Sequence, residues 1–163
     1  MNKYELNEKI GRNKFQDFIS QMPKYTVTFT DDPYDHKDAW ITSLDKKYAA
    51  EIKNRDIRYE AYETYIMEKI KYDELENLYN NKEIVDGMMV YFFGNTLYIF
   101  NIKKIDKLIK NNKIKMVYKW LPNSTVDKHK MIQKPCYLLP KAYSYIYKKD
   151  NNRWNKIQEP YII

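Results

Sequence analysis

Residues 38–53 read Asp38-Ala-Trp-Ile-Thr-Ser-Leu-Asp-Lys-Lys-Tyr-Ala-Ala-Glu-Ile-Lys53. Two strand-like runs, 38–42 and 47–53, flank a hairpin-length loop, Ser43-Leu-Asp-Lys46. Side chains two apart on a strand share a face, so Glu51 and Lys53 point one way while Ala50 and Ile52 point the other, into a core. A turn centred near residues 44–45 gives antiparallel pairs whose numbers sum to about 89 or 90. Asp38 then stands opposite Glu51 or Ile52, and either register brings its carboxylate close to that of Glu51.

Upstream, Phe15, Phe18, Ile19 and Met22 fall at helical spacing and predict a helix over 12–22, ended by Pro23. Tyr25-Thr-Val-Thr-Phe-Thr30 alternates like a strand, and Asp31-Asp-Pro33 reads as a turn. Downstream, Tyr59, Tyr62, Ile66 and Ile70 recur at three- and four-residue steps and predict a long helix over 59–80. Tyr65, Tyr72 and Tyr79 form a second stripe, read as packing in preference to a base-stacking surface. Apolar strands over 87–93 and 96–100 surround Gly94-Asn95, a hairpin. A short helix over 103–110 follows, then strands over 114–121 and 131–139 around the polar loop 122–130, then a last helix opened by Pro140. The expectation is an α/β or α+β chain with a mixed sheet flanked by helices. It forms one domain over 1–163, with a core at about 11–100 and an extension over 101–163 that adds a β-hairpin and a helix.

Composition narrows the chemistry. Glycine occurs only at positions 11, 87 and 94, which excludes a phosphate-binding glycine loop. Cys136 is the single cysteine and His36 and His129 the two histidines, so thiolate and histidine metal clusters are excluded and a reducing, cytoplasmic setting is expected. No apolar run approaches the roughly 18–20 residues that span a bilayer, and residues 1–9 hold no secretory apolar region, so no membrane is expected. The net charge is +7, and of 29 basic residues only Arg12, Arg55, Arg58 and Arg153 are arginine. Lysine is a point charge for phosphate, so this balance favours backbone-directed binding of nucleic acid. An AT-rich coding bias explains the same lysines and the 17 tyrosines equally well.

Two neighbouring carboxylates repel unless one is protonated or a cation lies between them. Mg²⁺ suits Asp38 and Glu51, because it prefers hard oxygens and is commonly held by one or two carboxylates together with a substrate phosphate. The Ile52 carbonyl offers a further oxygen. Lys53 is placed to stabilise phosphorane charge or to orient and help deprotonate a water. The plain alternative is a solvated hairpin face. Against it stand the apolar neighbours Trp40, Ile41 and Ile52 and the cluster Lys53-Asn54-Arg55 with Arg58.

On Gly11-Arg-Asn-Lys-Phe-Gln16, Asp38, Glu51-Ile-Lys53 and the segment Glu68-Lys-Ile-Lys-Tyr-Asp-Glu-Leu75, the chain resembles the PD-(D/E)xK nuclease superfamily of restriction-endonuclease-like fold, in its phage or mobile-element form. The resemblance covers roughly residues 11–100. It implies a Mg²⁺-dependent deoxyribonuclease, with Mn²⁺ able to substitute, acting in the host cytoplasm if phage-encoded. Asp38 and Glu51, with the Ile52 carbonyl, would bind the metal, and Lys53 would be the catalytic lysine. Gln16 stands where relatives often carry a glutamate, and it would orient water without adding charge. Glu8 is a weaker substitute for that acid. Arg55, Arg58, Lys71 and Asn54 would contact DNA. His36 is a rim residue or a plain loop histidine, Asp35 a reserve acid, and Cys136 buried and inert. A homodimer would suit cleavage of two strands. The second expectation is a nuclease-like fold that binds nucleic acid or a protein without cutting.

Overall fold

The computed structural model describes residues 1–32, 35, 37–55, 63–123 and 129–162. Helix α1 (Lys3–Ser20) is followed by strands β1 (Thr26–Phe29), β2 (Ala39–Ser43), β3 (Lys46–Arg55) and β4 (Thr64–Glu68) and by helix α2 (Lys69–Asn80). Strands β5 (Asp86–Phe93) and β6 (Thr96–Asn101), helix α3 (Ile102–Lys110) and strands β7 (Met116–Pro122), β8 (Met131–Pro140), β9 (Tyr145–Asp150) and β10 (Arg153–Gln158) complete the chain. Among the described residues, seven strands form one mixed sheet in the order β1-β2-β3-β5-β6-β9-β10, and three form a second in the order β4-β8-β7. The expected mixed sheet flanked by helices is what the chain adopts.

The central strands β3, β5 and β6 of the large sheet are buried on both faces. Phe15, Phe18 and Ile19 of α1 pack on Ile41, Ile52, Val90, Phe92 and Trp154. On the other face, α2, α3 and the small sheet cover Ala49, Met89, Tyr91, Tyr98 and Phe100. Its central pair, β3 and β5, is parallel, with Glu51 level with Met89 and Lys53 with Tyr91. Parallel strands need a crossover, and here β4 and α2 lie in the connecting segment. Gly87 lets that connection sit close. A Cβ there would stand 2.8 Å from Ile102 Cγ1 and 3.1 Å from Leu75 Cβ.

Helix α1 starts nine residues before the periodicity suggests. Its first turns are polar, and their helicity comes from a capping box. The Asn2 side chain accepts from the Tyr4 and Glu5 amides, and Glu5 accepts from the Asn2 amide at 2.8 Å.

Two expected helices are corrected. The segment expected as a helix over 59–80 is helical only from Lys69. Residues 56–62, including Tyr59 and Tyr62, lie outside the described residues, and Thr64–Glu68 is strand β4, paired with β8. Tyr65 and Met67 alternate inward, and Tyr65 packs against Tyr91, Phe93 and Tyr98 with ring centroids 4.9–5.3 Å apart. The tyrosine stripe therefore crosses from strand to helix. The helix expected after Pro140 is a single 3₁₀ turn followed by the β9–β10 hairpin. Asn151 and Asn152 both take positive φ (48° and 60°), the requirement of a type I′ hairpin turn. This hairpin continues the large sheet beside β6 and is clamped to α1. Asp17 accepts from Lys149 Nζ at 2.8 Å and from Trp154 Nε1 at 3.0 Å, and Gln21 Oε1 accepts from the Trp154 amide at 2.6 Å.

The hairpin of residues 38–53 contains one strained position. Leu44 is fully exposed and has φ of 50°, a left-handed conformation costing a non-glycine residue roughly 1–2 kcal/mol. Leu44→Gly relieves that strain, offset in part by the extra freedom of glycine in the unfolded chain. The expected net gain is about 1 kcal/mol, seen as a rise of roughly 2–4 °C in thermal midpoint.

Candidate active site

The β2–β3 ladder runs at Ala39↔Ala50 through Ser43↔Lys46, which settles the register in favour of Asp38 opposite Glu51. Just beyond the ladder the backbone pairing slips by one residue, the Asp38 amide donating to the Ala50 carbonyl at 2.8 Å. There the side chain takes over from the strand: Asp38 Oδ2 accepts from the Ile52 amide at 2.6 Å. In an extended strand the N–H and C=O of one residue point to the same side. The Ile52 carbonyl is therefore directed towards Asp38, past the end of β2.

Glu51 is only 1% exposed, on the face covered by β4 and α2. Its Oε1 accepts from Lys53 Nζ at 2.5 Å and from Lys71 Nζ, in the first turns of α2, at 3.1 Å. Its Oε2 is buried and has no hydrogen-bond partner among the described residues. A buried carboxylate oxygen without a donor costs roughly 1–3 kcal/mol or more. Retaining one beside a second acid is the arrangement expected of a cation ligand.

The electrostatics agree. Burial, and then the nearby Glu51 charge, push the Asp38 carboxyl up to about 6, against the opposing pull of Lys53, the Ile52 amide and Lys71. Burial works against the Lys53 ammonium, but Glu51 and Asp38 outweigh it and hold its pKa above the ordinary lysine value. Among the described residues no group of three or more His, Cys, Asp or Glu side chains is placed to share a metal. The donors on offer are Asp38, Glu51 and the Ile52 carbonyl.

Helix α1 meets this centre through Gly11 and Arg12. A Cβ at Gly11 would lie 3.2 Å from Asn54 Cβ and 3.3 Å from Ile52 Cγ2, so the missing side chain lets α1 sit close on β3. Arg12 then donates to the Thr30 carbonyl at 2.9 Å, pairs with Glu8 at 2.8 Å and brings its guanidinium to 3.9 Å from Asp38 Oδ1. Arg12 is the residue that sequence reasoning missed, although it sits inside the quoted Gly11–Gln16 motif. Its separation from Asp38 in sequence gave no sign of the contact.

The remaining candidates divide. Gln16 is exposed on α1 and, among the described residues, makes no hydrogen bond with Asp38, Glu51 or Lys53. Glu8 is engaged by Arg12. Asn54 points to the α1 face, away from Glu51, where it accepts from Lys14 Nζ at 3.2 Å and donates to Asn7 at 3.3 Å, so it anchors the helix. Lys71, expected to face substrate, is drawn onto Glu51. Arg55 is exposed at the end of β3, on the Lys53 side by alternation. Asp35 pairs with Lys37 at 2.8 Å. Cys136 is buried, and burial pushes its thiol up. Arg58 and His36 lie outside the described residues.

No protein-family model and no curated protein matches the chain. Among solved structures it is similar to D212, a nuclease from a fusselovirus, with a TM-score of 0.51 and 15% identity, covering 88% of this chain and 87% of that one. At that identity the likeness is one of fold, a mixed sheet flanked by helices. No helix among the described residues is long and apolar enough to cross a membrane.

A carboxyl whose folded pKa is raised costs nothing at a pH where it is protonated in both states. The cost grows as pH rises from the unfolded value near 4 to the folded value of about 6 and is full above it. Asp38→Asn, which keeps an oxygen for the Ile52 amide, is therefore expected to be more stable than wild type above pH 6 without metal, by up to roughly 2–3 kcal/mol. The gain should fade below pH 6 and vanish near pH 4. Urea unfolding across that range in the presence of chelator measures it.

Proposed function

We propose that the chain is a divalent-metal-dependent nuclease that hydrolyses phosphodiester bonds in DNA at the Asp38–Glu51–Lys53 site. The observation that carries this reading is the buried Glu51 Oε2, without a hydrogen-bond partner among the described residues, beside an Asp38 carboxyl that burial and Glu51 together push up to about 6. Likeness of fold to a viral nuclease supports it.

Asp38, Glu51 and the Ile52 carbonyl would hold Mg²⁺, or Mn²⁺ in its place. When bound, the ion would lower the pKa of a water and offset charge on the scissile phosphate. The chain's own side chains do the rest. Lys53, whose ammonium Glu51 and Asp38 favour, would stand as a cation beside the phosphorane oxygens. Lys71 neutralises Glu51 and fixes its rotamer from α2. Arg12 steadies Asp38 from the α1 side. Arg55, with Arg58 further along, would grip flanking phosphates.

The single-site variants Lys53→Ala and Glu51→Gln are expected to lower cleavage of plasmid, single-stranded and branched DNA by at least about 100-fold with Mg²⁺ or Mn²⁺. Wild-type cleavage no better than either variant would refute the reading. A second measurement does not depend on turnover. Millimolar Mg²⁺ should raise the thermal midpoint of wild type and leave that of Glu51→Gln unchanged, because only a native-state ligand stabilises.

A second reading, a nuclease-like fold that grips DNA without cutting, draws on the absence of a third acid from the described centre and on the exposed Gln16. Salt-sensitive gel shifts with no cleavage of any of these substrates would favour it.

A further inference from the structure

The β7–β8 ribbon outruns the sheet that carries it. β4 pairs with β8 only over Cys136 to Pro140, whereas β7 follows β8 from Met131 to Tyr137. The outer part is therefore two-stranded among the described residues. Cross-strand partners share a face, so the pairs Tyr118↔Pro135, Trp120↔Gln133 and Pro122↔Met131 continue the face that carries Tyr137. At Tyr137 that face is core. Further out it is open, with Tyr118 62%, Trp120 63% and Met131 48% exposed. Isolated exposed apolar residues need no explanation, but neighbouring ones on a single face mark an interaction surface.

Charge and position select the occupant. The described residues 113–123 and 129–138 contain Lys113, Lys115, Lys119, Lys130 and Lys134 and no aspartate or glutamate. Within this stretch Lys134 is paired at 2.9 Å to Glu68, and Lys119 and Lys130 are exposed. By alternation the pair Lys119↔Lys134 lies on the reverse face of the ribbon, so the ribbon is a basic strip with aromatic rings open on one side, and such a strip suits a polyanion with free π-faces. A duplex keeps its base faces stacked on one another, so unpaired nucleotides fit better. The ribbon also leaves the body next to the candidate centre. Cys136 pairs with Glu68, which opens α2, and Tyr137 contacts Tyr72 next to Lys71, the residue that reaches Glu51. Trp120, level with Gln133, lies three residues beyond Cys136, about 10 Å along the strand.

We propose that the exposed face of the β7–β8 ribbon is a stacking platform for unpaired nucleobases, taking the single-stranded flank of a nucleic acid whose backbone the Asp38–Glu51–Lys53 centre engages. This rests on the nuclease reading above.

The test is the Tyr118→Ala/Trp120→Ala double variant, whose truncated side chains face solvent. Affinity for a single-stranded oligonucleotide and for a blunt duplex of equal length is measured by fluorescence anisotropy in chelator. The variant should bind the single strand at least about tenfold more weakly and the duplex less than about twofold more weakly. In wild type the single strand should quench tryptophan emission, because Trp120 is open while Trp154 is 4% exposed and Trp40 half-buried. Unchanged single-strand affinity, or equal losses on both ligands, would overturn the platform. So would a wild type that binds no oligonucleotide but sediments as a dimer while the variant sediments as a monomer, since a second copy would then cover the face. Lys53→Ala is run in parallel. If it binds like wild type but no longer cuts, both readings stand. If it cuts like wild type, the catalytic assignment fails, and the anisotropy still decides the platform.

Discussion

A carboxylate taken almost completely out of water must be neutralised where it stands, and the centre of this protein is arranged around that need at Glu51. One oxygen receives two ammonium groups, from Lys53 on the same strand and Lys71 on the helix laid over it. The other receives nothing from the described residues. Every element that meets at this point contributes to the balance. β3 supplies Glu51 and Lys53 two residues apart, β2 ends so that Asp38 stands opposite, and the crossover through β4 and α2 delivers Lys71.

The constraint explains why the central strands are closed on both faces. A buried ion cluster on an exposed sheet would be solvated and weakly perturbed. Here α2 and the small sheet cover one face and α1 the other. Gly11 and Gly87, glycines on opposite sides of the sheet, let those helices approach β3 and β5. Close approach raises the Asp38 pKa and lets Arg12 reach from the far helix. A centre built this way holds like charges together at a cost in stability.

Much of this was legible from local pattern. Alternation along 47–53 separates Glu51 and Lys53 from Ala50 and Ile52, and the hairpin length places Asp38 opposite Glu51 with one register left to choose. The mixed sheet and the Gly94-Asn95 hairpin were equally readable. Two helices were misread for reasons that are physical. Tyr65 and Tyr72 are seven apart, which fits a helical face, yet Tyr65 belongs to a strand because β8 supplies it with a partner ladder. After Pro140 the Asn151-Asn152 pair is the turn signal, and the hairpin it closes overrides the helix-start preference of proline.

The sequence by itself determined the alternation, the acid–acid–lysine set and the lack of the cysteine, histidine and glycine patterns that thiolate, histidine-cluster and glycine-loop sites need, because these follow from residue types and strand periodicity alone. Only the tertiary structure decided which distant cations join that set. Lys71 and Arg12 reach Glu51 and Asp38 from two different helices, and no periodicity encodes a contact between elements that are brought together by packing. The same holds for the Glu51 oxygen without a hydrogen-bond partner among the described residues and for Asn54, turned away to anchor α1. Whether a buried charge is satisfied depends on every neighbour in space, and that inventory exists only once the chain is folded.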